Sequence, residues 1–247
     1  MGQYYRLINL DKKQMFRIDI SNLTMKEILH NPGNKALLAM FILCPEYLVS
    51  SNRDTSPLGS WTTDRIVLIG DYARGAPHFL DSAETQELSH FVMGQNQTQM
   101  SLYRFASQTY QVIDEDIDPE YGCQWDFWGD AVPRELSWQC IKGNKTHHLI
   151  VNFDRKQYLD PATFNEHGTF AGQFAFHPWG VMQVLLSLLF YSTRSEDGDM
   201  ELFVQGEWAG NRIAIIEKEK LFDMTKWVDL TSWARDRLRN QGMMSAT

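Results

Sequence analysis

Two stretches of this chain repeat one another in the same order. Tyr4-Tyr5-Arg6-Leu7-Ile8-Asn9-Leu10-Asp11-Lys12-Lys13-Gln14 lies over His147-His148-Leu149-Ile150-Val151-Asn152-Phe153-Asp154-Arg155-Lys156-Gln157, with Asn, Asp, Lys and Gln matching outright. Further along, Gly59-Ser60-Trp61-Thr62-Thr63-Asp64-Arg65-Ile66-Val67-Leu68-Ile69 lies over Gly206-Glu207-Trp208-Ala209-Gly210-Asn211-Arg212-Ile213-Ala214-Ile215-Ile216. Between the blocks, His30-Asn31-Pro32 before an apolar segment has a counterpart in His177-Pro178 before another, and Leu80-Asp81 and Val228-Asp229 each precede a helical pattern. A repeat constrains the fold more than any single motif, because both copies must adopt one supersecondary unit and cover the apolar face it leaves. Two copies are too few for an open solenoid. The expected fold is therefore α+β and internally duplicated, with two similar strand-helix-strand lobes packed face to face in a pseudo-twofold relation. Residues 1–95 form the first lobe, 96–144 an aromatic and acidic connector, and 145–247 the second lobe.

Within the first copy, Phe16, Ile18 and Ile20 alternate with Arg17 and Asp19 at the period of a strand. Joined to residues 4–10 through Asp11-Lys12-Lys13, they predict a hairpin. Thr24-Met25-Lys26-Glu27 is a capping box, and Asn34 opens a second helix that Pro45 ends after Cys44. Residues 65–70 form a nearly continuous apolar run, the pattern of a strand buried on both faces. Asp81-Ser82-Ala83-Glu84 starts another capped helix, to about Val92. The second copy predicts strands at 148–153, 200–205 and 212–217, a helix at 179–192 and a last helix from about Asp229 to Asn240. The connector holds a helix-like stretch from Gln99 to Tyr110, an acidic run from Asp114 to Glu120, and Trp125, Trp128 and Trp138. So many tryptophans would be costly in a free linker, so the connector is expected to lie across the junction of the lobes.

Composition removes several functional classes. The 23 Lys and Arg against 31 Asp and Glu leave a net charge of -8, so phosphates are not neutralised at scale and nucleic acid is not an expected partner. Cys44, Cys123 and Cys140 are three, with no C-x-x-C spacing, which argues against a disulfide framework and a structural zinc site. The opening residues lack the basic and apolar regions of a secretory signal, and Arg6 stands where N-myristoylation prefers Ser or Thr. Without a signal, the Asn-x-Thr triplets at Asn22, Asn96 and Asn144 read as chance and capping, not as glycosylation acceptors. The apolar runs at 36–44 and 181–191 are far shorter than the roughly 20 residues that cross a bilayer, so they predict core helices and no membrane association. The expected location is cytoplasmic.

The motifs together resemble those of an uncharacterised family of small soluble proteins. The resemblance rests on Met1-Gly2-Gln3-Tyr4-Tyr5, Asn9-Leu10-Asp11-Lys12-Lys13, Gly59-x-Trp61-x-x-Asp64-Arg65-Ile66 and Gly70-Asp71-Tyr72-Ala73. It covers roughly the first 75 residues and, more loosely, Trp208 to Ile213. It implies a grouping and carries no activity, substrate or catalytic residue. Asn211 departs from it, standing where the first copy has Asp64.

Five residues are candidate ligand contacts: Trp61, Arg65, Asp71, Tyr72 and His177. Arg65 offers a planar fork for carboxylates or phosphates and Trp61 a stacking face. The structural alternative is that Arg65 pairs with a carboxylate and Trp61 packs between the lobes. Recurrence as Trp208 and Arg212 favours that alternative, since a repeated scaffold motif marks folding. Asp71 and Tyr72 differ, because the second copy has Lys218 and Glu219 there and both residues follow a buried strand, where function is commonly placed. They could serve as acid and base, or end the strand and cap a loop. His177 starts a helix, or acts as a base in a cleft. His147 and His148 alternate across a strand and do not share a metal, and the acidic run lacks the Gly and terminal Glu of a calcium loop, so neither metal nor cofactor is expected. The nucleophile signatures of hydrolases are absent from Ser187, Ser192 and the cysteines. These features predict a non-enzymatic binding or interaction protein for a small molecule or protein, with recognition near the lobe junction. The alternative is an enzyme using Asp71, Tyr72, Arg65 and His177 in an interlobe cleft.

Overall fold

Residues 4–10 and 14–20, joined by Asp11-Lys12-Lys13, are expected to close into a hairpin, and the described part of them does. The structure, a computed structural model, describes residues 4–16, 59–95, 99–113, 148–160, 178–192, 206–221 and 223–240. Strand β1 (Tyr5–Asn9) pairs antiparallel with β2 (Gln14–Met15), Ile8 opposite Met15 and Asn9 opposite Gln14. Between them Lys13 takes a left-handed conformation at φ 52, and the Lys12 N–H donates to Asn9 Oδ1 at 2.9 Å, which closes the turn. The rest of the expected return strand to residue 20, the capping box at Thr24–Glu27 and the helix at 34–44 lie outside the described residues.

Strand β3 (Arg65–Gly70) runs antiparallel to β1, from Tyr5 opposite Gly70 to Asn9 opposite Ile66. Its apolar residues are all buried, as the unbroken run predicts. Helix α1 (Ser82–Gly94) starts on a complete capping box: Asp81 accepts from the Glu84 N–H at 2.8 Å and Glu84 accepts from the Asp81 N–H at 2.9 Å. Helix α2 (Leu102–Thr109) begins at Ser101, and β4 (Gln111–Val112) adds parallel to β2. The described part of the expected connector therefore belongs to the first sheet and its core. Ile8, Val67 and Ile69 from the sheet pack with Leu88, Leu102 and Phe105 from the helices. Buried side chains of this size each contribute roughly 1.5–3 kcal/mol.

A second hairpin has the same form as the first. Strands β5 (His148–Asn152) and β6 (Gln157–Leu159) are antiparallel, Lys156 has φ 53, and the Arg155 N–H donates to Asn152 Oδ1 at 3.0 Å. Helix α3 (Pro178–Leu189) is shorter than its apolar pattern predicts. Phe190 and Tyr191 leave it as β7 (Phe190–Tyr191), which pairs parallel with β3 at Leu68 and Ile69. Strand β8 (Asn211–Glu217) pairs antiparallel with β5, Ile213 opposite Asn152, the register of Ile66 opposite Asn9. Strand β9 (Val228–Asp229) then pairs parallel with β6, and helix α4 (Thr231–Asn240) follows, its Thr231 N–H held by Asp229 at 2.8 Å. The strand expected at 200–205 lies outside the described residues.

Leu80-Asp81 and Val228-Asp229 each precede a helix, as expected, but the strand edges beside them are filled differently. The Gln111 N–H donates to Lys13 O and the Val228 N–H to Lys156 O, both at 2.9 Å. One edge position is thus filled in the first copy by a segment after two helices and in the second by one before the last helix. Leu80 and Asp81 join no strand, and Asp81 caps α1.

The chain divides into two compact units, each made of three separate segments of the sequence. The first comprises residues 1–30, 64–116 and 186–211, and the second 31–63, 117–185 and 212–247. The first holds the order β4-β2-β1-β3 with β7 also on β3; the second holds β8-β5-β6-β9. Residues 206–211 fall in the first unit, where their backbone bonds reach the end of α3, β7 and β3. Gly206 N–H donates to Phe190 O at 2.6 Å, Trp208 N–H to Leu188 O at 2.8 Å and Gly210 N–H to Ile66 O at 2.9 Å. Only glycine fits at 206, since a Cβ there would overlap the backbone carbonyl of Leu188. No helix among the described residues is long and apolar enough to cross a membrane.

Candidate functional site

The Asp-Lys-Lys turn places Asp11 beside the start of β3, and Arg65 is bound to it twice. The Arg65 N–H donates to Asp11 Oδ2 and its Nε to Oδ1, both at 2.7 Å. Its outer nitrogens reach Glu84, Nη1 at 3.1 Å and Nη2 at 2.5 Å. Glu84 holds the guanidinium further above the ordinary arginine range; burial opposes this and Asp11 adds to it. Arg65 is thus a permanent cation whose donors tie β3, the hairpin turn and the first turn of α1 together. The second copy keeps half of this: the Arg212 N–H donates to Asp154 Oδ2 at 2.7 Å and its Nε to Oδ1 at 2.8 Å, on a more exposed side chain.

The other shared residues also serve the fold. Trp61 and Trp208 are both completely buried, so neither presents a stacking face to solvent. Asp64 accepts from Asn9 Nδ2 at 2.7 Å and pairs with Lys12 at 2.9 Å, bracing the turn in the one copy that carries this carboxylate.

Asp71 and Tyr72 sit past the other end of β3, both half-buried. The Asp71 N–H donates to Tyr4 O at 2.9 Å and Asp71 Oδ1 accepts from the Tyr4 N–H at 3.1 Å, extending the ladder between β1 and β3 by one step. Arg65 and Asp71 are separated by the whole strand, about 20 Å at roughly 3.3 Å per residue. The geometry therefore does not bring Arg65 together with Asp71 and Tyr72 around one small substrate. Beyond them, Arg74 and His78 are exposed, and the His78 ring lies 6.0 Å from Tyr191. His177 lies outside the described residues. Among the described residues no group of His, Cys, Asp and Glu is disposed to hold a metal ion.

Two participants escaped the sequence. The capping box implies only a cap at Glu84, and its bond to Arg65 depends on α1 folding back along β3. Arg6 lies within an apolar strand pattern. Its signal was present in the repeat, where the position matching Arg6 is Leu149. No family model, curated protein or solved structure matches the chain.

Proposed function

We propose that this chain is a binding protein without catalysis of its own, recognising a small molecule or protein at the end of β3 that carries Asp71 and Tyr72. The observation that supports this is the contrast between what the two copies share and what they do not. Shared side chains are consumed by the fold: Arg65 on Asp11 and Glu84, Arg212 on Asp154, and Trp61 and Trp208 in the interior. Asp71 and Tyr72, present in one copy, are half-buried beside a loop that exposes Arg74 and His78, and Asp71 also accepts from the Tyr4 N–H.

Internal duplication is part of the same proposal, as is the grouping with the family that opens Met-Gly-Gln-Tyr-Tyr. Duplication is supported by the common register of Asn9 with Ile66 and Asn152 with Ile213, and by the matched aspartate-arginine turns. Superposition of residues 4–15 and 65–70 on 147–158 and 212–217 in a crystal structure tests it, and would also judge the pseudo-twofold arrangement.

A thermal-shift screen of the full chain against metabolites tests the binding function, because a ligand that binds only the native state raises Tm. Asp71→Asn keeps the acceptor for the Tyr4 N–H, so stability should change by no more than about 1 kcal/mol while the ligand-induced shift is altered. A large loss of stability with the shift intact would make Asp71 a strand-end brace.

A further inference from the structure

We propose that Arg6 is the anchor of a carboxylate-binding site on the helix-covered face of the first unit. This deepens the binding function proposed above and rests on it. Arg6 stands on β1 opposite Ile69, at the register position that Leu149 occupies opposite Ile216 in the second unit. Leu149 is fully buried and belongs to the apolar core of its unit. The same sheet position therefore holds a permanent cation in one copy and a core leucine in the other, and stability alone favours the leucine.

The surroundings of Arg6 do not neutralise it. Its Nη1 donates to Met15 Sδ at 3.7 Å, a weak acceptor, and its guanidinium carbon lies 5.2 Å over the ring of Tyr103. Its Nε is buried without a hydrogen-bond partner among the described residues. Among the described residues no carboxylate pairs with it, whereas Arg65 and Arg212 each hold an aspartate. Native interiors rarely keep such a donor unsatisfied, and a functional role is one of the few explanations. The guanidinium lies over an aromatic ring and keeps N–H donors that a carboxylate accepts in charge-assisted hydrogen bonds.

Asp71 selects among anions. It continues the ladder opposite Tyr4, placing it diagonally from Arg6 at roughly 7–8 Å. A neighbouring negative charge penalises a phosphate dianion more than a carboxylate, and the chain's net charge of -8 acts in the same sense. Arg6 and Asp71 are also both absent from the second copy, where Leu149 and Lys218 stand.

NMR titration of the isotope-labelled full chain with sodium benzoate, with inorganic phosphate as a second arm, tests the site. Benzoate should shift the Arg6 Nε–Hε and Tyr103 ring signals saturably, and phosphate should bind at least about tenfold more weakly. Arg6→Leu, which installs the residue of the second copy, should fold and weaken benzoate by about tenfold or more. Arg6→Lys keeps the charge but not the fork and should weaken it comparably, which serves if the leucine variant does not fold. Unmoved Arg6 signals, tighter phosphate, or wild-type affinity in either variant would overturn the proposal. A metabolite that stabilises wild type and Arg6→Leu equally would leave the binding function standing and place its site elsewhere. Absence of any stabilising metabolite counts against the binding function, while the benzoate titration still judges Arg6.

Discussion

At the scale of single residues, Arg65 and Arg212 are one motif in two settings. Arg65 is 23% exposed and shared between Asp11 and Glu84; Arg212 is 53% exposed and bound to Asp154. Removing a partly buried partner strands the charges it neutralised, whereas an exposed pair is screened by water. Arg65→Met should therefore cost about 2 kcal/mol in urea unfolding and Arg212→Met no more than about 1 kcal/mol. Equal losses would show that Glu84 adds nothing. Thr63 and Gly210 are a second matched pair, both left-handed at φ 67 and φ 72. A β-branched residue there is strained by roughly 1–2 kcal/mol, of which glycine's extra freedom in the unfolded chain takes back about half. Thr63→Gly should stabilise the protein by about 0.5–1 kcal/mol, seen as a raised urea midpoint with unchanged slope.

Among the elements, helix α3 shows how far local pattern reaches. Its apolar run at 181–191 predicted a buried helix, and Leu185, Leu186 and Leu189 are almost completely inside. Leu185→Asp should cost several kcal/mol through an uncompensated buried charge, about 3 or more by unfolding, or leave the protein insoluble. A near-native Tm would show the helix to be exposed. The end of α3 was not legible in the same way. Phe190 and Tyr191 continue the apolar run yet form β7, because the open edge of β3 at Leu68 and Ile69 offers backbone partners that no local signal announces. The capping box at Asp81 and Glu84, by contrast, was readable because both of its hydrogen bonds close within one turn.

For the whole molecule, buried phenols set an alkaline limit. Burial first, and Glu84 and Glu87 next, push Tyr110 well above the ordinary phenol value of 10.0; burial raises Tyr158 and Tyr191 as well. Above pH of about 10 the unfolded chain releases phenolic protons that the folded chain retains, so stability is full below that pH and falls as pH rises. Unfolding measured from about pH 8 to 11 should show this decline, with a shallower slope in Tyr110→Phe. An unchanged slope would mean that Tyr110 ionises normally in the folded protein.

The sequence by itself determined the class of structure, the two hairpins and their turns. Each rests on interactions between residues close along the chain: Asn9 with Lys12, Asn152 with Arg155, Asp81 with Glu84. It also marked Trp61, Arg65, Trp208 and Arg212 as belonging to a scaffold, because they recur. The tertiary structure alone decided that residues 206–211 join the first hairpin's unit, that β4 and β9 fill one edge from different points along the chain, and that Arg65 and Asp71 stand at opposite ends of a strand. It alone left Arg6 over Tyr103 without a carboxylate. Those outcomes depend on which distant backbone groups and charges meet across the sheets, and period, capping and composition carry no information about partners so far apart in the chain.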